Sequence, residues 1–207
     1  LLPKDYIRFM LTGEFATDVS DASGMQLLDV GKRCWSEEVL EKLGVDPAWL
    51  ARVVESVEIT GRVTPAAAAL TGLAAGTPVV GGAGDNAAAA VGMGVVVDGT
   101  AFTTIGTSGV VYAHTSQMKL DRLGRVHTFC SAVPGEWHVM GVTQAAGLSL
   151  QWFRNQFCAE ERQAAAAQGV DPYDLMNAEA AQIRIGADKL LYLPYLMGER
   201  TPHLDPD

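Results

Sequence analysis

The sequence predicts an α/β protein of two domains, and three observations carry that prediction. Over the first third, apolar residues recur at helix spacing between recognisable caps and stops. At Gly76 the texture changes, and Thr77-Pro-Val-Val-Gly-Gly82 reads as a buried strand running into a Gly-rich turn. From Thr100 the pattern becomes one of β-hairpins followed by helices. The boundary falls near Val97–Thr100, which gives domains 1–98 and 99–207.

The elements follow in order. Tyr6, Ile7, Met10 and Leu11 mark a first helix closed by Thr12-Gly13, and the polar loop Thr17–Gly24 is rich in caps and turns. Ser36 caps a short amphipathic helix that Gly44 stops. Val45 to Glu58 is expected to carry another short helix around Pro47 and Trp49. Thr64-Pro65 opens a helix ending at Gly72, with Pro in its first turn. Asn86 to Met93 is an alanine helix. Strands are predicted at Ala101–Ile105 and Val110–Ala113 around Gly106-Thr107-Ser108-Gly109, then at Val126–Val133 and Trp137–Val142 around Pro134-Gly135-Glu136. Thr143 to Gln168 reads as one long helix, Asp171 to Ile183 as another, and Leu190 to Pro194 as a short strand.

Composition narrows the function. At 207 residues the chain can bury a core, and its 48% hydrophobic content is too high for a disordered protein. Fifteen basic residues against 24 acidic ones leave a net charge of −9, so no general field attracts phosphate backbones and nucleic acid is excluded as the main partner. Any bound phosphate must be held locally, by backbone amides or a metal. Cys34, Cys130 and Cys158 cannot all pair and form no Cys-x-x-Cys, which points to a reducing, cytoplasmic compartment. The four histidines show no His-x-x-x-His spacing, and no metal ligands are expected among these residues. The longest uncharged stretch, Val63–Gly84, is broken by prolines and glycines, so no membrane span is expected. The chain starts Leu-Leu-Pro without Met and stops in turn-like His-Leu-Asp-Pro-Asp; it is expected to be an internal fragment.

Three segments could carry chemistry. Gly82-x-Gly84-x-x-Ala87, after a strand and before a helix, matches a dinucleotide fingerprint, but the next strand ends in Gly-Thr-Ser-Gly where an acid would be needed to grip a ribose. The weight then falls on Asp85 and Asn86, at the junction of strand and helix. They are either an ordinary N-cap or a functional pair in which the Asp85 carboxylate, kept ionised by the helix dipole, suits a base, and the two roles are compatible. The Gly106–Gly109 turn either merely closes a hairpin or offers backbone N–H groups and hydroxyls to an anion. It is no Walker A loop, since no Gly-Lys-Ser or Gly-Lys-Thr follows. Gly147 inside a helix costs up to about 1 kcal/mol relative to Ala, so a packed helix or a nucleotide is expected to approach there, with Gln151 one turn on and Trp152 and Phe153 in the core. His127 with Cys130 is too small a set for a metal.

These segments in this order resemble the FGGY family of carbohydrate kinases, closest to those acting on xylulose. The likeness runs through Leu2-Pro-Lys-Asp-Tyr-Ile-Arg8, Leu11-Thr-Gly-Glu14, Thr17-Asp-Val-Ser-Asp-Ala-Ser-Gly24, Gly82-Ala-Gly-Asp-Asn-Ala87 and Gly106-Thr-Ser-Gly109. It continues in His127-Thr-Phe-Cys130, Ala146-Gly-Leu-Ser-Leu-Gln-Trp-Phe-Arg154 and Gly198-Glu-Arg-Thr-Pro-His203. The resemblance implies a central portion of the two-domain actin/hexokinase/Hsp70-like (ribonuclease H-like) fold, with sugar and ATP between the domains. Residues 1–98 would be the later part of the sugar-binding domain and 99–207 the earlier part of the nucleotide-binding one. It makes Asp85 the general base and a substrate ligand, Asn86 a sugar ligand, Gly106, Thr107 and Ser108 the phosphate hairpin, and Gly147 and Gln151 nucleotide contacts. The expected reaction is ATP- and Mg²⁺-dependent phosphorylation of D-xylulose at its C5 hydroxyl, by a homodimer. Another ketose or polyol kinase, or a non-catalytic remnant of the fold, is the alternative. The family's Asp-Gly-Thr phosphate turn and its later adenosine loop have no counterpart here, so residues 1–207 alone are expected to be inactive.

Overall fold

Helix α1 (Pro3–Thr12) opens the chain, and its C-terminus turns through Gly13 in the left-handed region. The computed structural model describes residues 1–206; Asp207, the last residue of the expected second domain, lies outside them. The helix is where the spacing placed it. Asp5, Arg8 and Thr12 are buried while Tyr6, Ile7 and Met10 are more than half exposed. Charge pairing decides this: Asp5 bonds both Lys4 and Arg8, and Arg8 reaches the Ala16 carbonyl.

The first third holds more strand than its helix-like spacing predicts. Strand β1 (Ala16–Asp18) leads into the single turn α2 (Val19–Ala22), then β2 (Leu28–Asp29) and β3 (Cys34–Trp35). Helix α3 (Glu37–Leu43) has the predicted Ser36 cap and Gly44 stop. The helix expected between Val45 and Glu58 is only a 3-10 turn at Pro47–Trp49, followed by β4 (Arg52–Val54), which pairs in parallel with β1. Next come β5 (Ile59–Arg62), α4 (Pro65–Thr71) with the predicted Thr64 cap, and β6 (Pro78–Val80). Strand β6 pairs antiparallel with β5 alone, so it is largely exposed rather than buried.

Helix α5 (Asp85–Gly92) precedes β7 (Ala101–Ile105), β8 (Gly109–Thr115), β9 (His127–Cys130) and β10 (Trp137–Thr143), which form one sheet in the order β7-β8-β10-β9. The single helix expected from Thr143 is instead three pieces: the end of β10, α6 (Gly147–Phe157) and α7 (Ala159–Gln168), parted by non-helical backbone at Cys158. The helix expected over Asp171–Ile183 is α8 (Pro172–Ala180), with Asp171 as its N-cap. Leu190–Pro194 is not a strand; among the described residues no segment pairs with it, and Leu190, Leu191 and Leu193 are exposed. Phe153 is also exposed rather than core.

The chain divides into two compact units, Leu1–Phe102 with Tyr112–Met140, and Thr103–Val111 with Gly141 onward. The first has its core around Val19, Ala22, Leu28 and Cys130, with Trp35 and Trp137 packed on it, and a second cluster around Ala90, Val95 and Tyr112.

Candidate active site

In the first unit, the glycine loop after β6 is fixed by its own chain. Gly81 and Gly82 donate their N–H groups to the Glu58 and Ser56 carbonyls at 2.9 and 3.0 Å. A Cβ on Gly81 would lie 2.7 Å from the Glu55 carbonyl oxygen, so this glycine admits backbone of the same chain. Gly82 takes φ +79, a conformation glycine adopts without strain. Gly84 donates its N–H to Ser20 Oγ at 3.0 Å and then begins α5 as its N-cap.

That last point separates the two readings of Asp85. The cap position belongs to Gly84 and has no side-chain cap bond; Asp85 is the first helical residue. Its Oδ1 accepts the Asn86 backbone N–H at 2.7 Å and the Asn86 side-chain amide at 3.1 Å. The structure therefore joins these two residues, with Asp85 exposed and Asn86 half-buried. A carboxylate in the first turn is favoured by the helix dipole.

Asp85 and Asn86 line a small cavity of about 100 Å³ with Ser20, Asp21, Phe129 and His138. The His138 ring is buried and stacks on Tyr112 at 4.2 Å. Burial, helped by the charge of His114, pulls its pKa down to about 4, so His138 is a neutral imidazole at neutral pH. Burial raises the Asp21 carboxyl; Lys4 opposes the shift and Asp18 reinforces it. Lys4 ties these acids together, lying 2.6 Å from Asp5, 2.8 Å from Asp18 and 3.4 Å from Asp21. Burial disfavours its ammonium, but Asp18 and Asp5 together outweigh that and its pKa is raised.

In the second unit, the turn between β7 and β8 is held through its carbonyls. Ser108 O accepts the Gly106 N–H at 2.9 Å, Gly106 O accepts the Gly147 N–H at 2.8 Å, and Thr107 O accepts those of Ala146 and Leu148 at 2.9 and 3.3 Å. The N–H groups and hydroxyls of Thr107 and Ser108 have no hydrogen-bond partner among the described residues, and both residues are exposed. With its acceptors engaged and its donors open, the turn suits an anion. Gly147 is not inside a helix as expected but is its first residue, and a Cβ there would lie 2.5 Å from Gly106 O. What approaches Gly147 is thus the Gly106–Gly109 turn itself. Gln151, one turn further along α6, is exposed.

Two anchors were not singled out from the sequence. Ser20 lies in the capped polar loop, and only its bond to Gly84 reveals its importance. Glu199 is buried and accepts from the Thr143 hydroxyl at 2.5 Å, the Gln144 N–H at 2.9 Å and the Arg200 N–H at 2.8 Å. Although burial opposes its charge, these donors hold its pKa below the usual carboxylate value. It thereby fixes the end of β10 just before α6. Its signal was the Gly198–His203 segment.

The chemistry available is a carboxylate able to accept a proton at Asp85 and an anion seat at Thr107–Ser108. Among the described residues no group of three or more His, Cys, Asp or Glu gathers to hold a metal. No described helix is long and apolar enough to cross a membrane.

Residues 1–92 match the N-terminal domain of the FGGY family of carbohydrate kinases, and residues 101–207 match its C-terminal domain. The chain is 41% identical over 205 residues to the xylulose kinase of Bacillus subtilis (strain 168), covering 99% of this chain and 39% of that protein. It is 35% identical over 205 residues to the gluconokinase of Bacillus licheniformis, covering 99% of this chain and 40% of that one. Among solved structures, a xyloylose kinase from Brucella ovis superposes with a TM-score of 0.85 at 40% identity, over 100% of this chain and 40% of that chain. The chain thus spans about 40% of the length of these relatives. The fold is the predicted actin/hexokinase-like one, present here as a portion.

Proposed function

The chain belongs to the FGGY family of carbohydrate kinases, and from that premise we propose that the protein carrying it transfers a phosphoryl group from ATP to a sugar hydroxyl, with D-xylulose as the sugar and its C5 hydroxyl as the acceptor. Residues 1–98 would supply the sugar side and 99–207 the nucleotide side. The separate domain matches over 1–92 and 101–207 support that division. Asp85 would accept the proton of the attacking hydroxyl as its oxygen bonds to phosphorus and the bond to ADP breaks. Asn86, already bonded to Asp85, would hold the sugar. Gly106, Thr107 and Ser108 would seat phosphate, with Gly147 fixing the turn and Gln151 facing the nucleotide. Such a reaction needs little beyond positioning, a base and charge neutralisation. Mg²⁺ on the nucleotide, a homodimeric state and a cytoplasmic location complete the proposal.

The observation that carries it is the exposed Asp85 carboxylate, which lies beyond the Gly84 cap and has only its Oδ1 engaged, by Asn86. The test is Asp85→Ala in the full-length kinase. Turnover is expected to fall roughly 10²–10⁴-fold, the usual worth of a general base, with the melting temperature little changed. Near-normal turnover would assign Asp85 to the helix alone. Gluconate is the competing substrate class, because the relatives include a gluconokinase; kcat/KM for the two substrates separates them.

A further inference from the structure

Asp85 leaves the helix axis at the first residue of α5, directly after a glycine whose backbone is soft. Three contacts hold the loop that delivers it. Gly81 and Gly82 are bonded to the 55–58 turn, and Gly84 is bonded to Ser20 Oγ. The last lies nearest to Asp85.

Ser20 is itself held from behind. It is buried at 4% exposure, and its backbone N–H donates to Asp18 Oδ2 at 2.8 Å while its hydroxyl donates to the same oxygen. Donating there leaves the Ser20 oxygen as the acceptor for Gly84 N–H, so the hydroxyl has one orientation. Asp18 is fully buried; Ser56 Oγ donates to its Oδ2 at 3.0 Å, and Lys4 pairs with its Oδ1 at 2.8 Å. Lys4 is clamped in turn by Asp5. The polar segments Lys4–Arg8 and Thr17–Gly24 therefore converge on the amide immediately before Asp85.

We infer that Ser20, oriented by Asp18 and Lys4, is a positioning residue that aims Asp85 by fixing the Gly84 amide. This inference rests on Asp85 being the base. Ser20 touches no reacting atom in this scheme. Its effect runs through geometry, where a misplacement of about 1 Å can cost on the order of 100-fold in rate. An alanine at position 20 removes the acceptor, leaves the Gly84 N–H unpaired and lets the glycine backbone sample other angles.

The experiment is a cycle of Ser20→Ala, Asp85→Ala and the double variant in the full-length kinase, with hydrogen exchange followed on the 81–87 peptide. Ser20→Ala is expected to lower kcat at least about tenfold, well within that positional cost, with sugar KM changed far less. Exchange at 81–87 should be faster and the melting temperature near that of the parent. In the Asp85→Ala background the same change should cost almost nothing more, since there is no base left to aim. A Ser20→Ala kcat near that of the parent, beside a crippled Asp85→Ala, overturns the inference and leaves the base intact. So does an undiminished loss in the Asp85→Ala background. An Asp85→Ala enzyme with normal turnover removes the base and the inference together. Should Ser20→Ala not fold, Ser20→Thr decides, because it keeps the hydroxyl: parent-like kcat and protection of 81–87 are expected. A folded, protected but slow Ser20→Thr overturns the inference, as does failure of both variants to fold.

Discussion

The loop before Asp85 and the turn at Thr107–Ser108 are built from opposite materials. The first rests on buried side chains: Asp18, Ser20, Ser56, Lys4 and Asp5 form a connected polar set behind Gly84. The second rests on main chain alone, its carbonyls taken by the N–H groups that open α6. A proton acceptor needs one atom aimed in one direction, and side chains with fixed partners can do that. An anion seat needs several donors in a shallow curve, and backbone supplies them whatever the side chains are. Side-chain substitution should therefore damage the first region far more than the second.

The largest effect tests the buried set. Asp5→Ala leaves Arg8, which is 4% exposed, with the Ala16 carbonyl but no carboxylate. The expected loss of stability is about 3–5 kcal/mol, because an uncompensated buried charge remains. Urea unfolding of the full-length protein measures it, and a loss below about 1 kcal/mol would show the pair to be solvated. An intermediate effect comes from a side chain the turn cannot accept. The new methyl of Gly147→Ala would lie 2.5 Å from Gly106 O, so the turn must shift. Overpacking of this kind costs about 1–3 kcal/mol; KM for ATP should rise about tenfold or more, while that for sugar stays put. An unchanged ATP KM would detach the turn from nucleotide binding. The smallest effects belong to Thr107→Ala and Ser108→Ala, which delete hydroxyls but keep the N–H groups. Each should cost no more than one hydrogen bond, about 0.5–1.5 kcal/mol, read as ATP affinity. A hundredfold loss from either would mean that side chains carry the grip and would erase the contrast.

What could be read from the sequence follows the same division between local and distant causes. The caps at Ser36 and Thr64 came out as predicted because each acts on a backbone N–H three residues away. Asp85 and Asn86 are neighbours, and the Gly106–Gly109 turn is contiguous, so both were visible as motifs. The buried polar face of α1 was not, because its ion pairs reach Asp18, which lies outside the helix. The expected helix after Val45 gave way because β4 pairs with β1, a partner that local spacing does not reveal. Ser20 was hidden for the same reason: its bond to Gly84 spans 64 residues. Close approach at Gly147 is legible from a glycine in helical sequence, but the packed helix or nucleotide expected there is, within this chain, the Gly106 carbonyl.

Glu199 also sets a timetable. The hydroxyl of Thr143 finds its carboxylate 56 residues later in the chain. During synthesis at roughly 5–20 residues per second, the end of β10 and the first turn of α6 emerge seconds before their clamp exists. Until Glu199 arrives, the backbone that receives the Thr107 carbonyl has one side unsecured. The Thr107–Ser108 turn is thus fully secured only after Glu199 is made, although its own residues are made well before.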